Sequence, residues 1–235
     1  MPRVRRPVQI IAHRGASRVE RENTLAAFRR AGSMGADAVE LDVRVAADGA
    51  LVVHHDPLLA DGRALHTVRT SGLPAYVPAL SAALDAAAGM WVNVEIKNSP
   101  GEPGYDPGHR VADATVAELE GHADAARFLI SCFDLPTLDR CRHLAPEIAT
   151  AYLCLDPAGA LELLRDRGHQ ALHPWDPTVT PALLDECHEA GLAVNAWTCD
   201  DPARQAELIA WGIDGICTNV PDVALAVRDA SPAAG

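Results

Sequence analysis

Nine short apolar runs of strand length alternate with eight longer helical patterns from one end of the chain to the other, which restricts the fold to an α/β architecture built on a mainly parallel sheet. The runs lie at 8–13, 38–43, 51–54, 91–96, 128–131, 149–153, 170–172, 193–197 and 214–218. Helical patterns cover 23–35, 78–88, 109–124, 134–144, 157–168, 180–190, 201–211 and 221–228, many of them starting beside Ser, Thr, Asp or Pro, as helix starts prefer. The run at 51–54 stands apart. Only the turn through Asp48-Gly49 separates it from 38–43, whereas a parallel crossover needs about a dozen residues or more, so this run is expected to fold back as a hairpin strand. Eight strands remain, each followed by a helix, the pattern of a (β/α)8 TIM barrel with an extra hairpin strand after barrel strand 2. The 235 residues suit one such barrel, a single domain spanning 1–235. An open doubly wound sheet is the weaker alternative, because no Gly-rich dinucleotide fingerprint follows the first strand.

Twenty basic against thirty-two acidic residues give a net charge of -12, which repels nucleic acid and anionic membrane surfaces. The one basic cluster, Arg3, Arg5 and Arg6, precedes the apolar run Val8 to Ala12, which is shorter than a signal-peptide core and leads straight into His13. No segment approaches the roughly 18 uninterrupted apolar residues of a membrane span, so no stable membrane insertion and a cytoplasmic location are expected. The six cysteines, at 132, 141, 154, 187, 199 and 217, are scattered singly and read as buried free thiols. Nothing in the sequence addresses the oligomeric state.

The chemistry concentrates between His13 and Asp56. His13-Arg14-Gly15 ends the first strand, Glu22-Asn23-Thr24 precedes a helix, Glu40 and Asp42 lie two apart on the second strand, and His54-His55-Asp56 follows the hairpin strand. Alternate residues of a strand share a face, so Glu40 and Asp42 point the same way, as do Glu95 and Lys97 on the next barrel strand. Buried carboxylates need a cation or a dense hydrogen-bond shell. Oxygens from Glu40, Asp42 and Glu95 form a hard ligand set suited to one divalent cation, Mg²⁺ or Ca²⁺, better than to zinc. The competing reading is a salt-bridge network of these acids with Arg14, Arg44 and Lys97. Arg14 and Lys97 can hold a small anionic substrate, and His13 and His55 can exchange protons near neutral pH, which together point to cleavage of a phosphoester. Asn23 is expected to serve as a helix cap near residue 25, and the hairpin to return His55 toward the level of Glu40.

Taken in order, His13-Arg14-Gly15, Glu22-Asn23-Thr24, Glu40-Leu41-Asp42-Val43, Val52-Val53-His54-His55-Asp56, Glu95-Ile96-Lys97, Ala196-Trp197-Thr198 and Gly212-Ile213-Asp214-Gly215-Ile216 resemble the glycerophosphodiester phosphodiesterase family over most of the chain. The resemblance implies a (β/α)8 barrel that hydrolyses glycerophosphodiesters to glycerol 3-phosphate and an alcohol with one divalent metal. It implies His13 and His55 as the acid–base pair, Glu40, Asp42 and Glu95 as metal ligands, Arg14 and Lys97 as phosphate contacts, and Trp197 as a wall of the substrate pocket. Three rivals are a phospholipase D acting on lysophospholipids or sphingomyelin-type lipids, a non-catalytic phosphodiester-binding barrel, and a phosphosugar isomerase on the same fold, which would not need the three-carboxylate set. The chain departs from the family pattern at Arg21, where proline is usual, and in the short run Pro57 to Val77, which is expected to remodel the alcohol side of the pocket.

Overall fold

The computed structural model describes residues 7–231 apart from 123 and 165, so the Arg3, Arg5 and Arg6 cluster lies outside the described residues. Nine strands form one sheet: β1 (Gln9–Ala12), β2 (Ala38–Val45), β3 (Leu51–Val53), β4 (Trp91–Ile96), β5 (Phe128–Cys132), β6 (Ala149–Cys154), β7 (Ala171–Pro174), β8 (Ala193–Ala196) and β9 (Gly215–Thr218). Their order is β1-β9-β8-β7-β6-β5-β4-β2-β3, and β1 also pairs with β2, so eight parallel strands close into a barrel. Helices α1 (Leu25–Met34), α2 (Leu80–Ala86), α3 (Arg110–Glu120), α4 (Leu135–Leu144), α5 (Ala160–Leu164), α6 (Pro181–Glu189), α7 (Pro202–Trp211) and α8 (Pro221–Ala230) supply the crossovers.

The strands are short and apolar on one face because each buries that face against the helix ring. On β2, Val39, Leu41 and Val43 join Phe28 of α1 and Leu84 of α2 in one buried cluster, while Glu40 and Asp42 take the opposite, inward face. Ile11, Ala38 and Cys217 form a small buried cluster, with Trp91 and Trp197 packed against it. All six cysteines are free and buried, as the sequence pattern predicts.

Among the described residues β3 is the one antiparallel strand, and its placement shapes the site. At Val43, β2 bonds β4 on one edge and β3 on the other, the edge that β1 occupies lower down at Ala38 and Val39. The hairpin strand therefore sits above the end of β1 and runs back toward the barrel mouth. Its outer edge is covered, since the Val53 N–H donates to Pro78 O at 2.9 Å, which removes an open pairing edge. The predicted elements hold with shifts at their ends. The largest is α5, confined to Ala160–Leu164 where 157–168 was expected, because Gly159 adopts φ +76° and the chain enters the helix only after it.

Candidate active site

The rim at the C-terminal ends of the strands gathers residues from both ends of the chain. Register places Glu40 beside Asn93 and Asp42 beside Glu95, so the inward carboxylates of β2 and β4 meet inside the barrel. One oxygen from each of Glu40, Asp42 and Glu95 lies within 4.8 Å of the others, and the three residues are 3, 1 and 8% exposed. Lys97, two residues beyond Glu95, turns its Nζ to Glu95 Oε1 at 2.6 Å and to Asp42 Oδ1 at 3.5 Å.

Between β1 and α1 the chain makes a tight loop held by three residues at positive φ: Arg14 at +56°, Gly15 at +81° and Asn23 at +56°. Left-handed backbone is strained for Arg and Asn, and such strain persists where surrounding contacts hold it. The contacts here are the Asn23 N–H donating to Arg14 O at 3.0 Å and the Arg14 N–H donating to Glu40 Oε2 at 2.9 Å. The Arg14 guanidinium grips both Glu22 oxygens at 3.0 Å and places Nε 3.3 Å from Asp42 Oδ2. At Gly15 an added Cβ would fall 2.6 Å from the Ala27 carbonyl carbon. Gly15→Ala is thus expected to destabilise the protein by at least about 2 kcal/mol through strain and overpacking. Urea denaturation checks this, and an unchanged midpoint contradicts it.

Asn23 departs from its expected capping role. Thr24 caps α1 instead, accepting from the Ala27 N–H, while the left-handed turn at Asn23 drives its side chain inward. Asn23 Nδ2 donates to Asp42 Oδ2 at 2.6 Å. Arg44, one possible partner of the acids, also lies elsewhere, with Nε on His55 O at 2.8 Å and NH2 on Glu102 at 3.0 Å. Arg14 and Lys97 do reach the acids, so part of the predicted salt-bridge network exists. It is incomplete: Glu40 Oε1 and Asp42 Oδ1 are buried and accept no hydrogen bond.

The hairpin sets His54 opposite Asp42, the His54 N–H donating to Asp42 O at 2.9 Å, and His55, one residue beyond, lies near enough to Asp42 and Glu95 to act on both carboxylates. His55 then bonds Asp56 Oδ1 through Nδ1 at 2.8 Å. A cavity of about 400 Å³ opens beside it, bordered by Arg21, Glu22, Asn23, Leu58 and Tyr76. His13 Nε2 lies 3.9 Å from Glu40 Oε2, and His13 Nδ1 is 2.7 Å from Asn219 Oδ1. Trp197 is half-buried, anchored by Nε1–H donating to His173 O at 2.8 Å and by an edge contact with Phe133 at 5.5 Å. His173 itself lies fully inside the barrel against Asn195, its pKa pushed down to about 3 by burial.

The carboxylates are electrostatically unequal. Burial, then Asp42 and Glu95, drive the Glu40 carboxyl well above the usual range, and burial raises Glu95 against the pull of Lys97. Burial also acts upward on Asp42, but Lys97, Arg14, His55 and the Asn23 bond outweigh it and bring its pKa to about 2. Burial followed by the Arg14 charge lowers His13, despite the bond to Asn219.

Stability of the metal-free protein follows from these signs. Glu40 and Glu95 titrate higher folded than unfolded, so their contribution is complete below the ordinary value of 4.5 and is lost as pH rises through the raised values. Asp42 acts oppositely, its contribution fading as pH falls from 3.8 toward 2. In chelator, Glu40→Gln is expected to raise the melting temperature relative to the wild type by an amount that grows as pH rises above 4.5, because only the wild type then carries the disfavoured charge. A difference between the two proteins that does not change with pH contradicts the assignment.

Charge on this site leaves room for a cation. With Glu22, which Arg14 already holds, four carboxylates face Arg14 and Lys97, an excess of two negative charges that one divalent cation would neutralise. The two carboxylate oxygens without hydrogen bonds are hard donors of the kind Mg²⁺ and Ca²⁺ take, so the residues fit such an ion.

Sequence reasoning missed Asn23 as a partner of Asp42, and Asn219 as a partner of His13. The signal for Asn219 lay in barrel closure. Strand β9 pairs with β1 in the register Ala12 to Thr218, so the next residue on each strand, 13 and 219, become neighbours.

Comparison with known proteins agrees with this fold. The profile of the Glycerophosphoryl diester phosphodiesterase family matches residues 13–66 and 60–223. A glycerophosphodiester phosphodiesterase of Caldanaerobacter subterraneus subsp. tengcongensis is 30% identical over 239 residues, 91% of this chain and 94% of that protein. Among solved structures, an Oleispira antarctica phosphodiesterase in complex with the product sn-glycerol-3-phosphate superposes with a TM-score of 0.87 at 27% identity, covering 94% of this chain and 97% of that one. The glycerophosphodiester phosphodiesterase of Thermotoga maritima gives 0.81 at 25% identity, covering 94% and 98%. With its rim motifs from His13 to Asn219 inside the family match, the chain belongs to the glycerophosphoryl diester phosphodiesterase family of phosphoric diester hydrolases.

Proposed function

We propose that this protein, as one domain over residues 1–235 and in the cytoplasm, hydrolyses glycerophosphodiesters to glycerol 3-phosphate and an alcohol with one divalent cation and two histidines. The observation that carries the reading is the convergence of three buried carboxylates, two of them with oxygens lacking any hydrogen bond, beside two cationic side chains and two histidines. The Oleispira phosphodiesterase, whose fold this chain shares, holds sn-glycerol-3-phosphate. Among the described residues no helix is long and apolar enough to cross a membrane.

Glu40, Asp42 and Glu95 would hold the cation, Mg²⁺ or Ca²⁺. When bound, such an ion supplies Lewis-acid neutralisation of phosphate charge. Arg14 and Lys97 add positive charge around the phosphate oxygens, in a site dry enough for that charge to count. His13, kept neutral by burial and by Arg14, is suited to taking the proton of the attacking oxygen. His55 is suited to giving a proton to the departing alkoxide, with Asp56 hydrogen-bonded to its other nitrogen. Trp197 forms a wall of the pocket.

The deciding experiment is release of glycerol 3-phosphate from glycerophosphocholine and glycerophosphoethanolamine with Mg²⁺, with Ca²⁺ and with a chelator. Cation-dependent release abolished by chelator is expected, and release unaffected by chelator removes the metal from the reaction. Running the assay in ¹⁸O water distinguishes attack by water from a cyclic phosphate intermediate. One observation favours a second substrate class. Trp175, 45% exposed just beyond β7, pairs with Trp197, and Leu155 just beyond β6 is 62% exposed; exposed apolar side chains of this kind suit an acyl chain. A lysophospholipid therefore belongs in the substrate series, and turnover above that of the water-soluble diesters would make phospholipase D the better reading.

A further inference from the structure

His13 is held by a chain of side chains that leads away from the carboxylate cluster. Its Nδ1 meets Asn219 Oδ1 at 2.7 Å, and Ser17 Oγ donates to the same oxygen at 2.9 Å. The other half of the Asn219 amide donates from Nδ2 to Asp200 Oδ2 at 2.8 Å. The Asn219 N–H and the Thr218 hydroxyl donate to Asp200 Oδ1 at 2.8 and 2.9 Å. Burial pushes the Asp200 carboxyl up, but these bonds outweigh it and keep it below the ordinary range.

An ionised carboxylate only accepts hydrogen bonds, so the amide NH₂ of Asn219 must face Asp200 and its oxygen must face His13. A flipped amide would set oxygen against oxygen at Asp200. Facing an acceptor, His13 has to carry its proton on Nδ1 when neutral, leaving the Nε2 lone pair toward Glu40. Neutral histidine in water favours the opposite form, with the proton on Nε2. The scaffold around the chain is rigid, because the His13 N–H donates to Thr218 O at 2.9 Å across the β1–β9 seam that closes the barrel.

We propose that Asn219, locked in orientation by Asp200, is a positioning residue that sets the tautomer and ring angle of His13, making Nε2 the nitrogen that exchanges the proton. This rests on His13 as an acid–base group, and the tautomer can be read without turnover.

The test is the ¹⁵N spectrum of histidine-labelled protein at pH 8, with and without Mg²⁺, the His13 ring being assigned among the ten histidines by its loss in His13→Gln. A protonated Nδ1 and an unprotonated Nε2 are expected in the wild type, and reversal in Asn219→Ala. The same variant should lose about 10²-fold in kcat, within the range of a positioned proton-transfer group, while KM stays within about twofold. Asn219→Asp alone sets two carboxylates in contact and should be similarly impaired. The double variant Asn219→Asp/Asp200→Asn restores donor against acceptor and should recover most of kcat, a rescue that simple loss of packing would not show. A proton on Nε2 in the wild type overturns the proposal, as does an unchanged tautomer in Asn219→Ala or a double variant no better than Asn219→Asp. Should Asn219→Ala fail to fold, the wild-type spectrum and the double variant still decide. Full activity in His13→Ala would instead overturn the acid–base reading and leave the tautomer result standing.

Discussion

Replacing His13 or His55 by alanine is expected to lower kcat about 10²- to 10⁴-fold each, the usual worth of a positioned proton-transfer group, while leaving the fold in place. Neither histidine supports the core. The His13 ring hydrogen-bonds Asn219, and the His55 ring hydrogen-bonds Asp56 at the edge of an open cavity. Losing either bond removes on the order of 1 kcal/mol. The pair of measurements is therefore diagnostic: release of glycerol 3-phosphate collapses, and the urea midpoint scarcely moves. If one variant keeps wild-type turnover, that histidine has no part in proton transfer.

Lys97→Met is expected to have the largest effect on stability. The ammonium group is buried between Glu95 at 2.6 Å and Asp42 at 3.5 Å, and burial, which would lower its pKa, is outweighed by those two acids. Removing it leaves two buried carboxylates without their shared cation, a change that typically destabilises by about 3–5 kcal/mol. For a chain of this length that is roughly 6–20 °C in melting temperature. The loss should be greatest in chelator and smaller with a saturating divalent cation, which restores positive charge to the same oxygens. A melting temperature unchanged in chelator would show that the acids are already protonated and that Lys97 neutralises nothing.

Much of this molecule was readable before any coordinates. The two-residue spacing of Glu40 to Asp42 and of Glu95 to Lys97 predicted that each pair shares a face, and the register of β2 against β4 joins the pairs across the barrel. The short turn at Asp48-Gly49 predicted that β3 is a hairpin, and it pairs antiparallel with β2. The eight-strand count predicted closure. These features follow from local rules: strand periodicity, turn length and the need to bury one face of each element.

What the sequence by itself determined is thus the barrel, the hairpin and the gathering of titratable residues at strand ends. Tertiary structure alone decided which partners they take. Asn23 leaves its expected cap for Asp42 because a left-handed turn, stabilised by Arg14 and Glu40, redirects it. Arg44 turns to Glu102 and the His55 carbonyl instead of the acids, and Asn219 becomes the partner of His13 from 206 residues away. Side-chain periodicity is a property of neighbouring residues, whereas hydrogen-bond partners depend on which strands closure brings together and on which buried charges must be satisfied there, and both are settled only when the barrel is complete.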